Sequence, residues 1–151
     1  MEIRIAGDAT ALAELNQLLY LEDAGTHDPF TDIEAARDDA MNYFTAFLAE
    51  ESTAAFLAVE DGKVAGYLAG RVFGRSLRRK VSTAELESIY VRIEFRNRRV
   101  GTLLVDSFFH WAEERGAERA AVTAYFANES ARRFYRRFGF ESKSVTLDMA
   151  L

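Results

Sequence analysis

The chain has 151 residues, a net charge of −5 and 28% charged residues, which bounds it to one domain with an ordinary soluble surface. The acidic balance argues against non-specific binding to nucleic acid or an anionic membrane, and the absence of cysteine removes disulfides, thiolate metal sites and any cysteine nucleophile. Only two histidines are present, His27 and His110, and neither sits in a carboxylate cluster, so no metal site is expected.

In chain order, "MEIRIAGD" has no basic or long apolar leader, and no apolar run approaches the ~18 residues that cross a bilayer. A cytoplasmic protein is the expectation. "EIRIA" at 2–6 alternates and predicts a strand. Asp8 is placed to cap a helix over 9–22, with Leu12, Leu15, Leu18 and Leu19 at helical spacing. Residues 23–32, around the only proline, predict a loop. Thr31 or Asp32 then opens a helix over 32–50, whose apolar stripe includes Ala36, Ala40, Tyr43, Phe44 and Phe47. Asp61-Gly62 inside 53–74 is a type I′ hairpin signal. Residues 75–82 form a basic loop, 83–92 a strand, and 99–115 a helix that Gly116 ends. A strand at 118–126, a short helix at 128–139 and one or two final strands in "FESKSVTLDMAL" complete the reading. Antiparallel strands followed by strand–helix alternation give a mixed α/β sheet with helices on both faces, in one domain.

The stretch "EFRNRRVGTLL" at 94–104 places Arg96, Arg98 and Arg99 at a helix entry. The first backbone N–H groups of a helix have no intrahelical partners, and the macrodipole adds about half a positive charge there. Cations at that end are unfavourable unless an anion is present. The run is therefore either a phosphate site, with Gly101 allowing close backbone approach, or a solvated basic cluster.

"LESIYVRIEFRNRRVGTLLVDSFFHWAEERGA" resembles the acetyl-CoA-binding segment of the GNAT superfamily of N-acetyltransferases. The family's Gln/Arg-x-x-Gly-x-Gly/Ala pattern falls on Arg96 to Gly101. "TAYFANESARRFYRRFGFE" resembles the second signature, with Asn128, Phe134-Tyr135 and Gly139-Phe140. Two departures stand out: Arg99 occupies the place of the first glycine, and Ile93 that of a common proline.

The resemblance implies a mainly antiparallel sheet with a central parallel strand pair, and acetyl-CoA as co-substrate. It implies that Ile89, Tyr90 and Val91 line the pantetheine arm. Arg96, Asn97, Arg98, Arg99, Val100, Gly101 and Thr102 would surround the pyrophosphate. Asn128 would bond the pantetheine amide, and Tyr135 would face the sulfur. The implied reaction is acetyl transfer to a primary amine, small molecule or peptide, by direct attack in a ternary complex. The alternative is a catalytically weak acyl-CoA-binding module.

Transfer requires an acid for the departing thiolate and a base for the ammonium. Tyr135 fits the acid, or is a core aromatic beside Phe134 and Phe138. Glu87, and behind it Glu85, fit the base, or are exposed charges sharing one strand face. His27, Glu22, Asp23 and Asp28 are placed to wall an acceptor site for a cationic amine, or are loop and cap residues. The basic loop of Arg75, Arg78, Arg79 and Lys80 either is plain solvated surface or meets a phosphate, an acidic acceptor or RNA. It has no interleaved aromatics, which leaves RNA the weakest reading. The apolar "VTLDMAL" permits a homodimer.

Overall fold

A computed structural model describes Met1–Leu151. Its elements are β1 (Glu2–Ile5), α1 (Thr10–Glu22), α2 (Ala24–His27), α3 (Ile33–Ala49), β2 (Thr53–Glu60), β3 (Lys63–Phe73), β4 (Thr83–Val91), α4 (Val100–Glu114), β5 (Arg119–Val122) and α5 (Glu129–Arg137). The sheet runs in sequence order, β1-β2-β3-β4-β5. Its first four strands are antiparallel, and β4 and β5 are parallel. The expected mixed architecture is present. No helix is long and apolar enough to cross a membrane.

Local chemistry explains the element ends. Asp8 does not cap α1, whose N-cap is Ala9, but accepts from Thr10 N at 2.8 Å one residue earlier; Asp32 caps α3 by accepting from Ala35 N at 2.9 Å. Asp61 and Gly62 carry φ of 50° and 76°, the left-handed pair that a type I′ hairpin requires. Gly116 and Gly139, at φ 82° and 99°, close α4 and α5.

Three further expectations are corrected. The 23–32 segment is not all loop, because α2 makes one helical turn in which Asp28 N bonds Ala24 O at 2.8 Å. β5 stops at Val122, where its pairing with β4 ends at Leu86–Val122. Residues 141–151 form no strand.

The two sheet faces carry separate cores. One packs Phe56, Leu68 and Leu86 under Leu104, Phe108 and Trp111 of α4. The other packs Leu57 and Tyr67 under Leu12 and Leu15 of α1 and Phe44 and Phe47 of α3. β4 does not alternate regularly between them. Ala69 opposes Ser88 while Gly70 opposes Leu86, which makes Glu87 an extra residue, a β-bulge. Before the bulge Ala84 and Leu86 face α4, and after it Ile89 and Val91 do. Glu87 and Ser88 consequently both face the α1–α3 side.

Tyr67 is fully buried, and its hydroxyl accepts from Asn16 Nδ2 at 2.9 Å. Burial pushes this phenol up to about 12, against about 10 for an unfolded tyrosine. The unfolded chain ionises first, so the stability tied to neutral Tyr67 is complete below about pH 10 and is lost as pH rises towards 12. Tyr67→Phe is expected to be less stable than the parent near pH 8, by about 1 kcal/mol for the lost hydrogen bond. The order should reverse above about pH 11, which urea denaturation at both pH values checks.

Candidate functional site

Between β4 and α4 the chain makes a 3₁₀ turn, Ile93–Phe95, and then a tight turn. Asn97 and Arg99 both take left-handed backbone conformations, at φ 60° and 63°. From Asn97 to Thr102 no backbone N–H finds an acceptor in the chain, and the first bond into α4 runs from Leu103 N to Arg99 O at 3.0 Å. Consecutive unpaired donors in such turns, with a helix dipole behind them, form an anion-binding concavity.

The three arginines do different things. Arg96 is held bidentately by Glu22, at 2.7 and 2.6 Å, and lies over the Tyr90 ring. Its Nε also donates to Val91 O at 2.9 Å. This hydrogen bond to Arg96, with the charge behind it, holds the Glu22 carboxyl below its ordinary range. Arg98 is paired with Glu60, both oxygens at 2.8 Å. Only the Arg99 side chain has no ion pair, hydrogen bond or ring contact, so it alone of the three is free to meet an anion. Its left-handed φ explains why glycine suits this position in the family pattern.

Gly101 is required for packing as well. A Cβ there would lie 3.2 Å from the Phe134 ring, so it lets α4 approach α5. Val100 is buried in the α4 core, and Thr102 is half-buried in the first turn.

Beyond Leu86–Val122 the parallel strands part, leaving β4 from Glu87 to Val91 without a β5 partner. Ile89 and Val91 lie along this opening on the α4 face, and Tyr90 is buried on the other. Tyr135 stands on α5, 9% exposed and in edge contact with Phe134 and Phe140. Burial pushes its phenol up to about 12, and the charge of Asp23 adds to the rise. Its hydroxyl has no partner in the chain. The one polar side-chain atom sealed from solvent without a partner is Gln17 Oε1, so the Tyr135 hydroxyl keeps access to solvent.

On the α1–α3 face, a pocket of about 310 Å³ opens beside the bulge. Its lining includes Asp23, Asp39, Tyr43, Glu87, Ser88 and Tyr125. Glu87 accepts from Arg71 Nε at 2.6 Å and from the Tyr43 hydroxyl at 2.8 Å, and Arg71 also reaches Glu50 at 3.3 Å. Burial, then the bond to Glu87, push the Tyr43 phenol up to about 12. A larger groove of about 460 Å³ at the β1–α1 corner lies away from these residues.

Several expected site residues are repositioned. Glu85 does not line the pocket. Glu22 is committed to Arg96. Asp28 is committed to Thr31, Phe30 N and Tyr125, at 2.7, 3.0 and 3.3 Å. Of the three acids expected at the acceptor wall, only Asp23 lines the pocket. His27 lies tilted against Tyr125, centroids 5.6 Å apart. Both ends of the Asn128 side chain are engaged. Oδ1 caps α5 at Ala131 N (3.1 Å), and Nδ2 donates to Asp23 at 3.0 Å. In the basic loop, Arg75 pairs with Glu118 and Arg79 lies over Phe73. Asp39 was missed by sequence reading, although Ala36, Asp39, Ala40 and Tyr43 share one helical face at i, i+3, i+4 and i+7.

Residues 12–140 match the family described as Acetyltransferase (GNAT) family, and the chain belongs to it. Over 103 residues it is 31% identical to an uncharacterized N-acetyltransferase of Methanocaldococcus jannaschii, covering 68% of this chain and 46% of that protein. The match thus spans under half of that relative's length. Among solved structures, a mutant of the BH1408 protein of Bacillus halodurans superposes at a TM-score of 0.79 with 17% identity, covering 100% and 99% of the two chains. An aminoglycoside N-acetyltransferase, AAC(6')-Iy, solved with CoA, superposes at 0.71 with 20% identity, covering 99% and 93%. At these identities the likeness shows the fold.

Arg99 combines a left-handed backbone with a positive charge at a helix N-terminus, and both cost stability. Arg99→Gly is expected to stabilise the ligand-free chain by about 1 kcal/mol, read from the urea midpoint.

Proposed function

We propose that the chain is an N-acetyltransferase that moves an acetyl group from acetyl-CoA to a primary amine by direct attack in a ternary complex. The observation that carries this reading is the meeting of two half-sites at one strand. Past the C-terminal end of β4 stands a cradle of unpaired N–H groups, and on the α1–α3 face of the strand an acid-lined pocket. Tyr135 of α5 stands close enough to Asp23 of the pocket lining for that charge to act on its phenol.

Acetyl-CoA supplies the acetyl group as an activated thioester. The N–H groups of Asn97 to Thr102, with the Arg99 guanidinium, fit a pyrophosphate. The unpaired stretch of β4 at Ile89 and Val91 fits an extended amide-bearing arm, as a peptide fits a sheet edge. Arg96 already holds the Val91 carbonyl, so its role is to fix this strand end and not to meet phosphate. Asn128 acts through the α5 cap and Asp23.

In the pocket, Asp23, Asp39 and Glu87 attract and orient the ammonium of the acceptor. Glu87 takes one proton from that nitrogen through a water. The amine attacks the carbonyl carbon, the N–C bond forms, the nitrogen gives up its second proton to water and the C–S bond breaks, and solvent then restores the proton that Tyr135 gives up. Tyr135 is a neutral phenol at physiological pH and holds a proton for the departing sulfur; the burial that raises its pKa also makes it a weaker donor, so the proton moves only as charge builds on the sulfur. A second reading, a weakly catalytic acyl-CoA-binding module, is favoured by one observation: Arg71 and Tyr43 already hold both oxygens of Glu87.

Thermal shift should respond to acetyl-CoA and CoA and not to ATP, and thiol release should appear with at least one member of a panel of amines. Coenzyme binding without transfer to any amine would select the second reading, and no preference over ATP would exclude both. Tyr135→Phe should lower kcat roughly 100-fold with the coenzyme thermal shift retained. Asp39→Asn should raise KM for cationic acceptors with little change in kcat.

A further inference from the structure

The turn between β3 and β4 has no part in the reaction proposed above, yet it is an ordered feature. Ser76 N bonds Arg79 O at 2.9 Å and Arg79 N bonds Ser76 O at 3.2 Å, which leaves Leu77 and Arg78 at the tip. Three ties hold the turn to the sheet. Arg75 pairs with Glu118, Ser82 Oγ donates to Phe73 O at 3.2 Å, and the Arg79 guanidinium lies 4.9 Å over the Phe73 ring. Arg78, Arg79 and Lys80 follow one another, exposed and without an ion pair. Three neighbouring cations repel one another, and an anion seated among them relieves that repulsion.

The coenzyme is too far away to be that anion. The turn precedes Thr83 and the loop of unpaired donors follows Val91, so the length of β4, about 27 Å at roughly 3.3 Å per residue, separates them. The acid-lined pocket is nearer. Its wall includes Glu87, which Arg71 holds, and the Arg71 guanidinium lies over the rings of Phe47 and Phe73 at 5.4 and 5.9 Å. Phe73 carries Arg79 in turn. A strip of guanidinium and ring therefore leads from the pocket wall to the turn, on the face that α3 covers. No lysine, arginine or histidine lines the pocket, while Asp23, Asp39 and Glu87 do. The face is bipolar, with acids at one end of the strip and free cations at the other.

We propose that the acceptor is a peptide amine followed by acidic residues, its ammonium in the pocket and its carboxylates against Arg78, Arg79 and Lys80. This rests on the acetyltransferase reading above. Span sets the register. Ser88, in the pocket, is five residues from Thr83, beside the turn, so roughly 16 Å separate the two ends. An extended chain of about five residues covers that distance, and a free amino acid, with ammonium and carboxylate on one carbon, does not. Glu85 lies between the two ends on the same face, since Ala84 and Leu86 face α4, and it repels carboxylates placed halfway. The acids therefore belong at the far end. Nucleic acid fits the same charges less well. Its base amines bring no ammonium to the pocket, and Phe73, the ring at the solvent end of the strip, already carries two guanidinium groups.

Two peptides of about ten residues with a free N-terminus test this, one with glutamate and one with glutamine from about the fifth position onward. Anisotropy of the C-terminally labelled peptides reads binding. Thiol release from acetyl-CoA reads transfer to each peptide and to a small monoamine. The glutamate peptide is expected to bind about tenfold more tightly at low salt and to have the lower KM, with the advantage shrinking as salt is added. Arg78→Glu combined with Lys80→Glu should remove that advantage while the coenzyme thermal shift and monoamine turnover stay unchanged. Both side chains are exposed and neither belongs to the ties that hold the turn, so loss of fold is not expected. Equal binding of the two peptides overturns the proposal, as does an advantage that survives the charge reversal. A single-stranded RNA that displaces the labelled glutamate peptide at lower concentration than the unlabelled peptide does overturns it in favour of nucleic acid. Failure to acetylate any amine sinks the acetyltransferase reading alone, because the binding measurement still decides whether the basic turn takes an acidic peptide.

Discussion

The separation of β4 from β5 is the constraint on which the rest of this structure depends. Two parallel strands pair over four residues and then part, so half of β4 keeps one unpaired edge in the middle of the molecule. An interior edge of this kind is costly unless something occupies it. The unpaired turn at Asn97 to Thr102 lies beyond the end of this edge, and the bulge at Glu87 turns two successive side chains into the pocket on the other face. The backbone thereby offers an open edge and a set of free donors before any particular side chain is considered. The reading as an acetyltransferase rests on that geometry together with family membership.

The distribution of charge around the loop follows from the same constraint. Three cations at a helix entry would repel one another and oppose the dipole. Glu22, from α1, and Glu60, from the β2–β3 hairpin, neutralise two of them. These pairs are partly solvated, so their individual contribution to stability is modest. Their structural effect is larger. Arg96 ties α1 to the end of β4, and Arg98 ties the hairpin to the α4 entry, so the loop is braced at two points.

Much of the fold was legible in the sequence because its signals are local. The Asp61-Gly62 turn, the Asp32 cap and the closing glycines each act within a few residues. The bulge at Glu87 was not legible, since an extra residue in a strand shows only against its partner, and β3 supplies that register. Nor could the sequence tell which acids remain free. Glu22 and Asp23 are neighbours of the same type. The first is spent on an arginine 74 positions away and the second faces the pocket. The final strand pattern was legible as a pattern, but a strand exists only where an edge receives it. Gly101 was read as room for a ligand, while its tightest constraint comes from the Phe134 ring.

The bond between Asn128 and Asp23 joins residues 105 positions apart, and the other end of the same amide begins α5. One side chain therefore spans from the wall of the pocket proposed for the acceptor to the first turn of the helix that carries Tyr135. A cation that draws Asp23 towards itself pulls on that amide, and whatever straightens the start of α5 pulls back on Asp23. A single amide thus links the two compartments, and on the proposed reading the filling of one is felt in the other before any bond is made or broken.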